Sequence, residues 1–275
     1  SWQVVGLLCV AVASAGCLVA AERRAASPVM PLGLFRDRNF VLTSAVGFLI
    51  NIGLMGAVSY LPTYFQIVDR MSPEAAGLMC VPMSVGSLVA STSTGMLASK
   101  TGRYRWMPVA MCAVCAAGFG LMATMAPGTP VWQTVAILLT VGCGFGLGLQ
   151  ILTLIVQNEF PHSMVGTATA ANSLFRQVGS TVGASLVGSL FTARLVADVA
   201  DRLPPADNVS LSSITPSFVD GLSGPVQAAV AQGYSEALVP LFAYFVPLCL
   251  AGLVLALFIR QKPLATTIDH GAAGK

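Results

Sequence analysis

The chain has 275 residues, of which only 9% are charged and 55% hydrophobic, with a mean hydropathy of +0.79; a soluble domain, with about 25% charged residues, covers itself in water and this one does not. Its net charge of +3 is too small to suggest a nucleic-acid partner. Its apolar runs are long and unbroken, which excludes a barrel of alternating strands and leaves transmembrane helices, because backbone in lipid must satisfy its own hydrogen bonds.

In chain order, residues 1–21 carry no charge and predict a first span over about 2–20. Ser1 is not an initiator Met, and no basic segment precedes the span. A signal peptide is therefore not expected, and further sequence is expected before residue 1. Residues 22–38 hold Glu22, Arg23, Arg24, Arg36, Asp37 and Arg38 around Pro28 and Pro31, and predict a loop. The uncharged runs 39–68 and 75–99 predict spans over about 40–62 and 75–98, since ~20 apolar residues cross a bilayer. The run 106–158 is long enough for two helices. The turn signal Ala126-Pro127-Gly128-Thr129-Pro130 divides it into spans over about 106–125 and 131–156. A sixth span, about 166–194, contains a single charge, Arg176. A long loop, 195–236, follows; within it Asn208-Val209-Ser210 matches a glycosylation sequon, a triplet common by chance. The last span covers about 237–260, before a tail over 263–275. The expected fold is an all-α integral membrane protein of about seven transmembrane helices.

Basic residues collect on alternate loops. Arg23, Arg24, Arg36, Arg38, Lys100, Arg103, Arg105, Arg260, Lys262 and Lys275 fall on one side, against Arg70, Arg194 and Arg202 on the other. The positive-inside rule then makes the first side, with the C-terminus, cytoplasmic. The 195–236 loop faces outward, carrying Asp198, Asp201, Asp207, Asp220 and Glu236.

Small residues recur at four-residue spacing: Gly86, Ala90 and Thr94; Ser87, Ser91 and Gly95; and Gly179 and Gly183. The run Gly142, Gly144, Gly146 and Gly148 is similar, and it lacks the spacing of a dinucleotide site. Such stripes let helix backbones approach closely in lipid; the sharper reading is that these faces slide during transport. Asn172, Arg176, Gly179 and Gly183 share one helical face, expected to point into the bundle. Arg176 is either a functional intramembrane charge or a side chain that reaches back to the interface. Asn51, Gln66, Gln150, Gln157 and Asn158 are further polar residues in or near spans, and Asn51, Gln66, Gln150, Asn172 and Arg176 are the candidates for a substrate path. Tyr60 and Tyr64 are expected in an interfacial belt. No acid lies mid-span; Glu159 and Asp69 sit at helix ends. Cys112 and Cys115 form a CxxC, but His162 and His270 are the only histidines and no second ligand pair is present. No metal, cofactor or enzymatic nucleophile–base pair is expected.

The loop Gly95-Met96-Leu97-Ala98-Ser99-Lys100-Thr101-Gly102-Arg103-Tyr104-Arg105 ends one helix and begins another; its basic residues are suited to capping carbonyls and pinning neighbouring helix ends. It resembles the major facilitator signature Gly-x-Leu-Ala-Asp-Arg-x-Gly-Arg-Arg/Lys, with Gly95, Leu97, Ala98, Gly102, Arg103 and Arg105 fitting the pattern, Arg105 one place late. Ser99 replaces the acid and Lys100 the Arg, which removes a charge-based lock at this loop. Pro31 to Phe40, Tyr60 to Gln66, Ala76-Gly77-Leu78, Pro82, Val156-Gln157-Asn158, and Gly166 to Asn172 with Arg176-Gln177-Val178-Gly179 are similar to the fourteen-helix drug:proton antiporters of EmrB/QacA type.

That resemblance implies a C-terminal six-helix lobe over 39–262, built from two inverted three-helix repeats and preceded by an extra linker helix over 1–21. It implies export of small hydrophobic or cationic compounds in exchange for protons across the plasma (inner) membrane, beside an N-terminal lobe not in this sequence. Glu159 is then the candidate for proton coupling in this half. The alternative is a non-transporting remnant or interaction subunit that needs a separate N-terminal lobe.

Overall fold

Prolines set where the helices break. A proline has no N–H to give to the carbonyl four residues back. In the computed structural model, which describes residues 31–200 and 224–263 together with isolated helical positions between 6 and 21, three helices stop at about that carbonyl. Helix α1 (Arg38–Val58) ends four residues before Pro62, and α2 (Leu61–Ile67) starts afresh around it. Helix α3 (Pro73–Met79) ends before Pro82 and gives way to α4 (Val81–Thr101). Further on, α8 (Gly224–Ala243) ends four residues before Pro247, which lies in α9 (Phe245–Leu257). Between them run α5 (Trp106–Met122), α6 (Val131–Glu159) and α7 (His162–Ala200).

Side chains cap these helices as their types suggest. The Asp37 carboxylate accepts the Phe40 N–H at 2.8 Å at the start of α1. Gly102 takes the left-handed conformation at φ 65° and closes α4, its N–H donating to Ala98 O. The expected turn between α5 and α6 is present: Gly128 has φ 83°, and Thr129 Oγ1 both accepts from Ala126 N and donates to Ala126 O.

By length and composition, Arg38–Ile67, Pro73–Thr101, Val131–Glu159 and Val226–Leu257 are able to cross a membrane, and Trp106–Met122 is a shorter apolar helix. Helix α7 has 39 residues and is about 58 Å long at 1.5 Å per residue, well beyond the ~30 Å of a hydrocarbon core. Among the described residues it is not in that group. The loop expected over 195–236 is shorter than the sequence suggests, because α7 runs on to Ala200 and α8 already starts at Gly224. A helix need not stop at the first charge, so apolar-run counting sets its end too early. The sequon at Asn208, most of the first span and the tail beyond residue 263 lie outside the described residues.

Glycines fix the packing. Helix α4 lies on α6, where a Cβ at Gly142 or Gly146 would strike the Met83 or Ser87 carbonyl, and one at Gly86 would come within 2.7 Å of Leu139 O. Helix α7 lies on α1 in the same way, with Gly179 and Gly183 against the Phe48 and Ile52 carbonyls. The intervening glycines of α6 face α5, Gly144 against Cys115 and Gly148 against Met111. Helix α9 packs on α5 and α1. Phe119 sits between Phe145 and Phe245, and Gly53 and Gly56 leave room for Phe119 and Phe245. The stripes Gly86–Ala90–Thr94 and Gly179–Gly183, with Gly142 and Gly146, therefore mark two interdigitating seams, α4–α6 and α1–α7.

At the end of the bundle bearing Arg38 and Arg103, a 3-10 turn (Leu32–Arg36) tucks Leu34 beneath Phe40, Val156, Ala168 and Ala171. The residues after α9 are tied down there. Asn39 bonds the backbone of Arg260, Gln261 donates to Gly102 O, and the Tyr104 hydroxyl donates to Lys262 O and accepts from Lys262 N. Arg105 Nη2 donates to Leu257 O at 3.1 Å, the helix-end capping expected of that basic loop.

Candidate substrate pathway

The helices differ in what they show to their surroundings. Helices α5 and α9 contain no Ser, Thr, Asn, Gln or charged residue, and their exposed positions are apolar, including Ala113, Ala117, Leu121, Leu250 and Val254. Helix α7 exposes Gln177, Thr181, Ser185, Ser189 and Thr192 among its leucines and valines, and α4 exposes Ser84, Thr92 and Ser93. An apolar helix is at ease in lipid on all sides; hydroxyl and amide groups are not. The polar faces belong to the wall made by α4, α6, α1 and α7, and the apolar ones to its back.

Two open cavities lie along that wall. One, of about 460 Å³, is lined by Ser84, Ser87 and Ser91 of α4, with Leu54, Phe145 and Leu149. The other, of about 390 Å³, is lined by Gly95, Ser99, Gln150, Thr153 and Gln157, nearer the basic end. It brings the exposed Gln150 together with Gly95 and Ser99 of the α4–α5 signature loop. The Ser99 hydroxyl bonds back to Met96 O, while Lys100 and Arg103 are exposed beyond it. Gly102 serves the loop as the left-handed cap of α4.

The α1–α7 seam carries most of the other sequence candidates. Asn172 Nδ2 donates to Ser44 Oγ at 3.0 Å, and the Asn172 Oδ1 has no donor within the described structure. The stem of Arg176 rests on Gly47, and its Nη2 donates to Ser173 Oγ at 3.0 Å. Asn51 Nδ2 donates to Gly47 O, and its Oδ1 accepts from Ser180 Oγ at 3.4 Å. The face shared by Asn172, Arg176, Gly179 and Gly183 thus lies against α1, inside the bundle as its spacing suggests.

Gln66 stands apart, on α2 at the far end, its amide donating to Pro62 O. Tyr64 is not in an interfacial belt. It is 1% exposed, bonds Ser235 and packs against Phe65 and Tyr234. The break at Pro62 turns α2 inward under α8, which a straight helix over 40–62 would not do. Among the described residues, Trp106 and Trp132, at opposite ends of the bundle, are the exposed indoles.

Glu159 ends α6 in the basic-end lattice. Its side chain is 5% exposed, pairs with Lys262 and accepts from Asn39 Nδ2 at 3.0 Å. Its hydrogen bond to the Glu159 carboxylate holds the Lys262 ammonium above the ordinary lysine range. Burial raises the neighbouring Asp37 carboxyl, and its contact with Glu159 adds to that. Sequence reasoning missed the partners that assemble this lattice. Asn39, Tyr104, Asn158 and Lys262 are single polar residues at the edges of apolar runs, and their pairings span 54 to 221 residues.

Comparison with known proteins places this architecture. The chain is 35% identical over 269 residues to an uncharacterized MFS-type transporter of Mycobacterium tuberculosis, covering 98% of this chain and 39% of that protein. It is 30% identical over 226 residues to the multidrug transporter protein MdtP of Bacillus subtilis (82% and 41%), and 34% identical over 181 residues to a tetracycline resistance determinant of Streptomyces rimosus (66% and 52%). It spans about two fifths to one half of the length of these relatives. The Major Facilitator Superfamily pattern matches residues 1–184, a stretch that takes in the glycine seams and the Gly95–Arg105 loop. With an all-helical membrane bundle carrying that loop, the chain belongs to the major facilitator superfamily, whose members are carriers rather than enzymes.

Proposed function

We propose that this chain is the C-terminal half of a two-lobed efflux carrier. It moves small hydrophobic molecules out of the cell in exchange for protons. The observation that carries this reading is the contrast between the polar exposed faces of α4 and α7 and the wholly apolar α5 and α9. Serine, threonine and glutamine on a face turned away from its own bundle suit an aqueous path closed by a second lobe. The substrate would pass along the α4–α6–α1–α7 wall, with Asn51, Gln150, Asn172 and Arg176 as contact residues and Gln66, on α2, beyond its far end. The lobes would rock about it. Relatives named as multidrug and efflux proteins support the direction of transport.

In this reading the basic end, with Arg103 and the C-terminus, lies on the cytoplasmic side of the plasma membrane. Glu159 is the candidate for proton coupling from this half, since its carboxylate is shielded and shares its surroundings with Asp37.

The test has two parts. Cells expressing the complete gene should expel a lipophilic dye and stop doing so when an uncoupler collapses the proton gradient. In a cysteine-depleted background, Thr181→Cys and Ser91→Cys should react with an aqueous thiol reagent in intact membranes, whereas Leu121→Cys and Val254→Cys should not. Equal labelling at all four positions, or dye efflux indifferent to the uncoupler, overturns the reading.

A further inference from the structure

Arg176 is the one charged residue between the start of α7 and Arg194. Its seat is built for it. A Cβ at Gly47 would lie 2.9 Å from Arg176 Cγ and 3.3 Å from Cδ, so glycine on α1 leaves the space that the arginine stem fills. Gly47 is nine residues into α1, which places the stem roughly 14 Å from the first residue of that helix. Side chains on a helix lean toward its N-terminus. Helix α7 begins at the basic end, so the guanidinium points back toward that end, as its bond to Ser173 requires.

The head group is largely uncommitted. A guanidinium has five N–H donors in a rigid fork. Ser173 Oγ takes one of them, and among the described residues no carboxylate pairs with Arg176. The seam on either side is neutral, with Ser44 and Asn172 toward the basic end and Asn51 and Ser180 beyond. No Asp or Glu occurs between Glu74 and Glu159, or between Glu159 and Asp198. Between the ends of this wall a cation meets Arg176 and no counter-charge. An oxyanion meets a half-desolvated fork able to bind it through two parallel hydrogen bonds. Arg36, Arg38, Lys100, Arg103 and Arg105 at the same end raise the local concentration of anions.

We infer that Arg176 receives the carboxylate of a lipophilic weak acid, so that this half of the path selects amphiphilic anions over permanent cations. The inference rests on the reading that the α1–α7 seam borders the substrate path. Anionic lipid offers similar chemistry from another source, and the test separates the two.

The full-length carrier is reconstituted in phosphatidylcholine nanodiscs. Three dansyl probes of equal chain length are titrated, ending in a carboxylate, a methyl ester and a quaternary ammonium. The carboxylate should bind tightest to the wild type. Arg176→Gln should weaken it about tenfold to a hundredfold, the worth of a charge-assisted bond, and leave the ester within about twofold. Arg176→Lys should restore part of the loss.

Equal weakening of carboxylate and ester by Arg176→Gln, or no weakening, overturns the inference. So does displacement of the carboxylate probe by phosphatidylglycerol at a low mole fraction, which makes the occupant a lipid. A wild type that binds ester and ammonium but not carboxylate defeats this inference alone. Failure to bind any of the three defeats the substrate-path reading with it.

Discussion

Asn39 holds the backbone of Arg260 at both ends of its amide, with Nδ2 donating to Arg260 O and Oδ1 accepting from Arg260 N, each at 2.9 Å. The same Nδ2 also donates to Glu159. One buried side chain thus joins the first turn of α1, the end of α6 and the segment after α9. Asn39→Ala leaves a peptide unit and a carboxylate short of partners, at a cost of about 2–3 kcal/mol. A lower melting temperature in detergent and faster tryptic cleavage after Arg260 are expected. Wild-type cleavage kinetics in the variant would show that the segment is held by Tyr104 and Gln261 instead.

The acid limb of stability should report Asp37. Its carboxyl is raised by burial, with Glu159 adding and the Phe40 N–H and Lys262 opposing. A raised carboxyl binds its proton more tightly in the folded state, so stability falls as pH rises from the unfolded value of about 3.9 through the raised one. Asn caps a helix as well as Asp. Asp37→Asn should therefore keep α1 intact, stabilise the protein modestly at neutral pH and flatten the melting-temperature profile across that window. The opposite slope would mean that the Phe40 bond outweighs burial.

Lys262 has the other sign. Its ammonium is raised by Glu159, so its contribution is complete below the unfolded lysine value of about 10.4 and is lost as pH climbs through the raised one. Lys262 is 51% exposed while Glu159 is 5% exposed. Lys262→Gln should then cost more than the ~0–1 kcal/mol of a surface pair, because it strands a shielded carboxylate. Adding Glu159→Gln to that variant should recover most of the loss, read as melting temperature at pH 7.

How much of this was legible beforehand depends on range. Apolar runs located the four helices able to cross a membrane and the shorter α5, because length and hydropathy are local. The α7 face of Asn172, Arg176, Gly179 and Gly183 was legible through its period, and the structure seats all four against α1. Pro62 and Pro82 were in plain view, yet hydropathy does not register a missing N–H, so two interrupted helices read as continuous. Asn39 and Tyr104 gave no signal at all, since their partners lie 221 and 158 residues away. The serines of α4 stood out only as small residues; that Ser84, Ser87 and Ser91 line one cavity needed the position of α6.

The glycines divide into two kinds that a melting series should separate. At Gly142 and Gly183 a Cβ would fall on a backbone carbonyl of the neighbouring helix, which has no rotamer to change. Gly142→Ala and Gly183→Ala should each part a seam and sharply reduce the folded yield. Gly120 and Gly166 are helical with nothing within 4 Å of the new methyl. Gly120→Ala and Gly166→Ala should raise stability by about 0.4–1 kcal/mol by restricting the unfolded chain. Uniform behaviour across the four would dismiss the seam geometry.

Asn172 is 1% exposed and half satisfied, with Nδ2 bonded to Ser44 and Oδ1 without a donor. Truncation removes a neutral hydrogen bond worth about 1 kcal/mol, and with it an orphaned acceptor whose burial costs about 1–3 kcal/mol. Asn172→Ala should accordingly leave the melting temperature nearly unchanged or slightly higher. Asn172→Asp acts differently, because it sets a carboxylate one turn before Arg176 on the same face, at the spacing that favours ion pairing. That pairing would occupy the guanidinium fork from within. Asn172→Asp should therefore abolish binding of a carboxylate-headed probe while sparing its methyl ester, and a variant that still binds the carboxylate would place the anion away from Arg176.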